Sequence, residues 1–224
     1  FKDVIDHIEE ILDTGKSGYS VATHPEKVIA AKGNQQLKEI IQKAEVPFAD
    51  AIGICWAVKK LYNCKIPRIP GIELMQHLLL YASKVNWSIY FLGTKPEIIE
   101  KAVTKIKSEY NVLKISGYHH GYFKNEEEII KEIQIKSPKL LFVGLGTPKQ
   151  EYWIAKNYKK FNNTFCVSVG GSFDVIAGEV KRAPSLFRNN GLEWFYRLCQ
   201  QPSRWKRQKA LPVFWGLIMK EQIF

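Results

Sequence analysis

The feature that most constrains the fold is an alternation of short apolar runs with segments of helical periodicity. Six runs have the length and composition of buried strands: YSVAT at 19–23, EVPFA at 45–49, SIYFLG at 88–93, NVLKISG at 111–117, KLLFVGLG at 139–146 and TFCVSVGG at 164–171. Segments such as GIELMQHLLLYASK lie between them and carry apolar residues three or four positions apart. Strand and helix in repeated succession predict an α/β fold: a Rossmann-like, mostly parallel sheet of about six strands with helices on both faces. Ligands of such folds bind at the carboxyl ends of the strands.

The positive charge of the chain is concentrated near its end. The net charge is +11, and residues 1–180 carry 24 basic against 20 acidic residues, whereas residues 181–224 carry nine against two. Trp194, Trp205, Trp215 and other aromatic residues lie among these basic residues. We therefore predict a Rossmann-like domain over 1–190 and a basic helical appendage over 191–224 that associates with an anionic membrane surface. A nucleic-acid-binding tail, or a terminal helix that packs on the body, are the alternatives.

The cysteines and the hydropathy indicate a compartment. The four cysteines Cys55, Cys64, Cys166 and Cys199 are scattered, without a CxxC pair or histidines at metal-ligand spacing. No uncharged apolar run reaches the roughly 18 residues that a membrane span requires. We expect reduced thiols in a cytoplasmic protein and no structural metal.

The stretch GLGTPKQE, at 144–151, is a glycine-rich turn between a predicted strand and a predicted helix. Backbone N–H groups at the start of a helix attract anions, so Gly144, Gly146 and Lys149 are candidate phosphate-binding residues. The dinucleotide fingerprint GxGxxG is incomplete here, which argues against a nicotinamide enzyme. We predict no cofactor.

Two aspartates follow strand-like runs and are candidates for chemistry. Asp50 ends VPFAD and Asp174 follows the glycine pair in VGGSFD; capping of a helix is the ordinary alternative for each. A DxD pair is absent, so arginines, Lys149 or helix N-termini would have to balance a diphosphate. In YHHGYF, at 118–123, aromatic rings could stack on a base or a sugar, although His119 and His120 are equally typical of an exposed loop.

Eight blocks of the sequence, taken in order, carry a resemblance to a known family. They are THPEKV at 23–28, ADAIGICWA at 49–57, RIPGIEL at 68–74, FLGTKP at 91–96, HGYF at 120–123, FVGLGTPKQEYWI at 142–154, VGGSFDVIAGEVKRAP at 169–184 and LEWFYRL at 192–198. Together they resemble the WecG/TagA/CpsF family of bacterial glycosyltransferases, glycosyltransferase family 26, over nearly the whole chain.

The resemblance implies an activity. Family members transfer a sugar, N-acetylmannosamine in the best known case, from a UDP-linked donor to a polyprenyl-diphosphate-linked acceptor at the cytoplasmic face of the bacterial membrane. They invert the anomeric centre and need no metal. The polymers concerned are cell-wall teichoic acids or surface polysaccharides. An exposed aromatic tail also fits a homo-oligomer.

The resemblance also implies roles for individual residues. Asp50 matches the proposed general base, Arg68 an active-site arginine, and Gln150 a residue that reaches the donor sugar or its diphosphate. Tyr122 and Asp174 match positions that would hold the uridine. The tail arginines, which would neutralise the departing UDP, are Arg197, Arg204 and Arg207.

Two departures from the family pattern concern the sugar site. Where Thr, any residue and Asn usually precede Pro-Glu, this chain has Ala22, Thr23 and His24; we expect Thr23 or His24 to contact the sugar instead. Ala51 replaces the usual glycine of ADGIG. Both departures suggest a different donor or acceptor sugar. A nucleic-acid-binding module with a basic tail, and a nucleotide-binding regulator without catalysis, are the competing hypotheses.

Overall fold

The structure is a computed structural model that describes residues 1–189, 191–200, 205 and 209–220. The six strands are β1 (Gly18–Thr23), β2 (Val46–Ala49), β3 (Ser88–Gly93), β4 (Lys114–His119), β5 (Leu140–Gly144) and β6 (Phe165–Ser168). They form one sheet in the order β2-β1-β6-β5-β3-β4, and every pair of neighbours is parallel. The predicted α/β class and the six-stranded parallel sheet are confirmed.

Among the described residues, one helix precedes the first strand, and others connect the strands and follow the last one. They are α1 (Lys2–Asp13), α2 (Pro25–Lys32), α3 (Gln35–Gln42), α4 (Ile52–Tyr62), α5 (Gly71–Val85), α6 (Pro96–Glu109), α7 (Glu126–Lys136), α8 (Lys149–Asn157), α9 (Ser172–Ala177), α10 (Ser185–Asn189), α11 (Glu193–Gln200) and α12 (Ala210–Met219). A short 3₁₀ turn, Tyr158–Lys160, extends α8.

Each face of the sheet has its own apolar core, because successive side chains of a strand point to opposite faces. In β3, Ile89 and Phe91 pack with α1, α5, α6 and α9 on one face. Tyr90 and Leu92, their neighbours in sequence, pack with α3, α7 and α8 on the other. All four side chains are fully buried. A strand covered on both faces has to be apolar throughout, which explains why the strands read as continuous apolar runs.

The last described helix, α12, packs partly on the body. Phe214 and Ile218 are buried in a third apolar cluster with Ala57 of α4, and the ring of Trp215 lies 4.0 Å from that of Trp56. One face of α12 therefore fits the alternative prediction of a terminal helix that packs on the body. The opposite face is exposed, with Val213 at 52% relative accessibility. A separate membrane-associating appendage over 191–224 stays a prediction.

Candidate active site

The predicted site loops lie together at one edge of the sheet, where the carboxyl ends of the parallel strands meet. β3 and β5 are neighbours, yet the chain leaves β3 toward β4 on one side and leaves β5 toward β6 on the other. Such a divergence opens the crevice in which open α/β sheets bind ligands. Thr94 N–H donates to the Gly144 carbonyl at 3.0 Å. A Cβ on Gly93 would lie only 2.4 Å from that same oxygen, so this position requires glycine.

The GLGTPKQE turn presents a basic helix start to the crevice. α8 begins at Lys149 and no side chain caps it among the described residues. Gly146 adopts φ +79°, a left-handed conformation that glycine tolerates. Lys149 is exposed, and its Nζ lies 6.0 Å from the ring centre of Phe123. The local charge is thus suited to an anion.

Gln150 lies at the bottom of this turn rather than on its surface. Its side chain is buried, with 2% relative accessibility. Its Nε2 donates to Glu151 Oε1 at 2.9 Å, and its Oε1 accepts from the Gly170 N–H at 3.1 Å. The carboxamide is therefore held by groups of the protein, and its contact with a donor stays a prediction.

A buried ion pair lies directly behind Gln150. Lys27 Nζ donates to Glu151 Oε1 at 2.6 Å and to the carbonyl of Ala22 at 2.6 Å. The two charged side chains are 1% and 0% exposed. The hydroxyl of Thr147 donates to the same Glu151 oxygen at 3.3 Å. This network ties the end of β1 and the start of α2 to the turn that follows β5.

Asp50 lies at the carboxyl end of β2, and its carboxylate meets the first turn of another helix. The N–H of Gly71, the first residue of α5, donates to Asp50 Oδ1 at 2.8 Å. The Asp50 N–H donates to the carbonyl of Thr23 at 3.0 Å, which joins the ends of β1 and β2. The carboxylate therefore has a fixed orientation, but it is bound at the start of α5 and does not cap α4, the helix that follows it in sequence. Ala51 has φ −107°, so this turn does not require the glycine that the family pattern has there.

Arg68 lies beside Asp50 and connects it to the tail. Its Nε donates to the Asp50 carbonyl at 2.9 Å, and one terminal nitrogen donates to the Arg188 carbonyl at 3.3 Å. The other forms an ion pair with Glu193 Oε2 at 2.7 Å, with the two side chains only 19% and 9% exposed. Glu193 is the first residue of α11, so the tail begins within reach of Asp50.

Two further arginines surround the start of α5. Arg182 pairs with Glu73, and Arg188 lies 3.6 Å from the same Glu73 oxygen. The Nε atoms of both arginines are buried without a hydrogen-bond partner among the described residues. Glu73 lies in the first turn of α5, the same turn whose Gly71 N–H holds the Asp50 carboxylate.

The first loop uses its polar side chains largely within the protein. The hydroxyl of Thr23 donates to the Phe48 carbonyl at 2.7 Å. His24 begins α2: its Nδ1 accepts from the Lys27 N–H at 3.3 Å and lies 2.6 Å from a Glu26 carboxylate oxygen. A sugar contact by Thr23 or His24 stays a prediction.

A recess of about 490 Å³ lies at the carboxyl end of β4. His119, His120, Tyr122 and Phe123 line it, together with residues of α7. Tyr122 is 68% exposed and offers a ring on which a base could stack. Across the crevice, the Thr94 hydroxyl lies 3.4 Å from Asp174 Oδ1.

The tail arginines fall largely outside the description. Arg204 and Arg207 lie outside the described residues, and Arg197 belongs to α11 without a described side chain. Their role stays a prediction. Within the described ranges, no group of three histidine, cysteine, aspartate or glutamate side chains is placed to hold a metal ion. None of the described helices has both the length and the apolar character needed to cross a bilayer.

A model of the glycosyl transferase WecG/TagA/CpsF family matches residues 1–224. The chain belongs to this family. It is therefore a glycosyltransferase, and the resemblance predicted from the eight sequence blocks is confirmed.

Two curated relatives share most of their length with this WecG/TagA/CpsF family member. The chain is 33% identical to a protein of Bacillus spizizenii over an alignment of 219 residues. This alignment covers 97% of the chain and 85% of the relative. The chain is also 35% identical over 219 residues to a protein of Bacillus subtilis, which covers 97% and 86% respectively. Both relatives are named N-acetylglucosaminyldiphosphoundecaprenol N-acetyl-beta-D-mannosaminyltransferase.

Three charged residues of the candidate active site were not predicted from the sequence. Lys27, Glu151 and Glu193 all lie within the quoted blocks, but each resembles an ordinary surface residue of a helix. Their partners are more than 120 positions away, with separations of 124 for Lys27 and Glu151 and 125 for Arg68 and Glu193. The available signal was the placement of each residue in the first turn of its helix, inside a block that resembles the family.

Proposed function

We propose that this glycosyltransferase transfers N-acetylmannosamine or a related hexose from a UDP-sugar to a polyprenyl-diphosphate-linked sugar. The two Bacillus relatives are named for an acceptor of that kind and for that sugar. The reaction would invert the anomeric centre, need no metal and take place at the cytoplasmic face of the membrane. The product would serve teichoic acid or surface polysaccharide synthesis.

The observation that carries the proposal is the placement of Asp50. Its carboxylate is oriented by the Gly71 N–H at 2.8 Å and is partly exposed. Arg68 donates to the backbone of the same residue. A general base needs this combination of a fixed orientation and access to the substrate hydroxyl.

The chemistry follows from that placement. Asp50 Oδ2 takes the proton from the acceptor hydroxyl while the hydroxyl oxygen attacks the anomeric carbon of the donor. The new glycosidic bond forms as the bond from that carbon to the diphosphate oxygen breaks, and UDP departs with the electron pair. Attack from the face opposite the leaving group inverts the configuration.

The donor would lie across the crevice between β3 and β5. Its uracil would stack on Tyr122, and Asp174 would accept a hydrogen bond from the nucleoside. Lys149 and the start of α8 would face the diphosphate. Gln150 would contact the sugar or the diphosphate from below.

The tail would complete the site. Arg197 is one helical turn beyond Glu193, whose carboxylate is bound to Arg68. A tail anchored beside Asp50 could bring Arg197, Arg204 and Arg207 to the departing UDP, where fixed cations stabilise the developing charge. The exposed aromatic residues of α11 and α12 would meet the membrane that carries the acceptor.

The test is product formation from defined substrates. The purified chain would be incubated with a synthetic N-acetylglucosamine-diphosphate-lipid and, in turn, UDP-N-acetylmannosamine, UDP-N-acetylglucosamine and UDP-glucose, followed by mass spectrometry of the lipid. The lipid is expected to gain the mass of one sugar residue from one of these donors, an N-acetylhexosamine from the first two or a hexose from UDP-glucose, with release of UDP. Hydrolysis of the donor without any gain on the lipid would contradict the proposed acceptor.

A further inference from the structure

The pair Lys27 and Glu151 has an arrangement that stability alone does not explain. Both side chains are almost fully buried, and taking two charges out of water costs about as much as their attraction returns. The second carboxylate oxygen of Glu151, Oε2, is buried without a hydrogen-bond partner among the described residues, which adds a further cost. Costly buried polar groups are typical of functional sites.

The pair determines which way the Gln150 carboxamide faces. A carboxylate only accepts hydrogen bonds, and Glu151 Oε1 receives the Gln150 Nε2 at 2.9 Å. A backbone N–H only donates, and that of Gly170 is received by Gln150 Oε1 at 3.1 Å. A flipped carboxamide would put oxygen against oxygen at one end and N–H against N–H at the other. Only one orientation is therefore compatible with this site.

Lys27 in turn determines where the carboxylate lies. Its Nζ bridges Glu151 Oε1 and the Ala22 carbonyl, both at 2.6 Å. Ala22 belongs to β1, Glu151 follows β5 and Gly170 follows β6, and these three strands are adjacent in the sheet. The network therefore holds the carboxamide relative to three neighbouring strand ends.

We propose that Lys27 and Glu151 are positioning residues for the transfer reaction: their buried ion pair holds the Gln150 carboxamide in the one orientation that presents its remaining N–H to the donor. This inference rests on the proposed role of Gln150 at the donor. Lys27 touches neither substrate and acts only through Glu151 and Gln150.

The test is a double-mutant cycle on kcat, with UDP-N-acetylmannosamine and the synthetic lipid acceptor as substrates. Lys27→Met should lower kcat by about tenfold, on the order of the coupling between contacting groups. In the Gln150→Ala background the same substitution should have no further effect. Equal losses in both backgrounds would overturn the positioning role. The matched control is Lys43→Met, which removes an exposed lysine paired with Glu39 and should leave kcat unchanged.

A second variant keeps the test valid if Lys27→Met fails to fold. Lys27→Met combined with Glu151→Gln removes both buried charges and keeps both side chains close to their original size. Replacement of a buried ion pair by uncharged residues of similar volume is often neutral for stability. The new amide can present either its oxygen or its NH₂ to Gln150, so only the Gly170 N–H still distinguishes the two orientations of the carboxamide. We expect this variant to fold and to have a lower kcat than the wild type. A wild-type kcat would show that the pair serves the fold alone.

The same experiment separates this inference from the proposed function. If Gln150→Ala alone keeps the wild-type kcat, Gln150 has no role at the donor and Lys27 has nothing to act through. If Gln150→Ala is impaired and Lys27→Met adds its own full loss, only the positioning role fails.

Discussion

The ion pair between Arg68 and Glu193 should be a main attachment of the tail to the catalytic body. The perturbation that tests it is Glu193→Gln, which keeps the size of the side chain and removes its charge. Glu193 Oε2 lies 2.7 Å from the Arg68 guanidinium, and the two side chains are 9% and 19% exposed. Removal of the charge leaves the guanidinium partly buried without its counterion.

The magnitude follows from that burial. A hydrogen bond to a charged group contributes about 1.5–3 kcal/mol to stability. We therefore expect Glu193→Gln to lower the free energy of unfolding by about 2 kcal/mol, near the middle of that range, since the pair retains some contact with water. For a chain of this size, that corresponds to a fall in Tm of about 4–8 °C.

The assay is equilibrium urea denaturation together with thermal unfolding, and the chain offers a matched control. Glu179 pairs with Lys101 at the same 2.7 Å, but those side chains are 41% and 59% exposed. Exposed pairs contribute little, so Glu179→Gln should be close to wild type. Equal losses for Glu193→Gln and Glu179→Gln would refute the reasoning, because burial would then not determine the strength of the pair.

Three other outcomes are expected. Phe195→Ser removes a ring that is 46% exposed and should weaken binding to phosphatidylglycerol vesicles about tenfold in a flotation assay. The control Ile135→Ser, on α7 and 81% exposed, should leave binding unchanged. Equal effects of the two substitutions would show that the tail is not the membrane contact. Burial raises the pKa of the Cys166 thiol, so a disulfide reagent should modify the exposed Cys64 and Cys199 in the folded protein and Cys166 only after unfolding. EDTA should leave turnover unchanged, and a strict Mg²⁺ or Mn²⁺ requirement would contradict arginine-based charge neutralisation.

The inner strands of the sheet were predictable from sequence because they are covered on both faces. β3 shows the reason: from Ile89 to Leu92 every side chain is buried, which forces a continuous apolar run. The edge strand β4 was predicted less well: it begins at Lys114 rather than at residue 111. One neighbour instead of two, and half-buried or exposed side chains, leave a weaker pattern at an edge.

The strand order and the polar network could not be predicted. Consecutive strands β2 and β3 lie far apart in the sheet, and nothing in a single sequence specifies that crossover. The contact between Lys27 and Glu151 depends on this strand order, because the contact joins the loops that follow β1 and β5, which lie on either side of β6. Local pattern identified Asp50 and the GLGTPKQE turn, whereas the partners that orient them come from elsewhere in the fold.

The measurement that most directly tests the central claim is the turnover of Asp50→Asn, together with its affinity for UDP by calorimetry. The amide oxygen can still accept from Gly71 N–H, so the fold and the UDP affinity should be retained. Loss of the base should lower kcat by about 10²–10⁴-fold, while Asp13→Asn, an exposed aspartate of α1, should change nothing. A kcat of Asp50→Asn within twofold of wild type would contradict the assignment of Asp50 as the base.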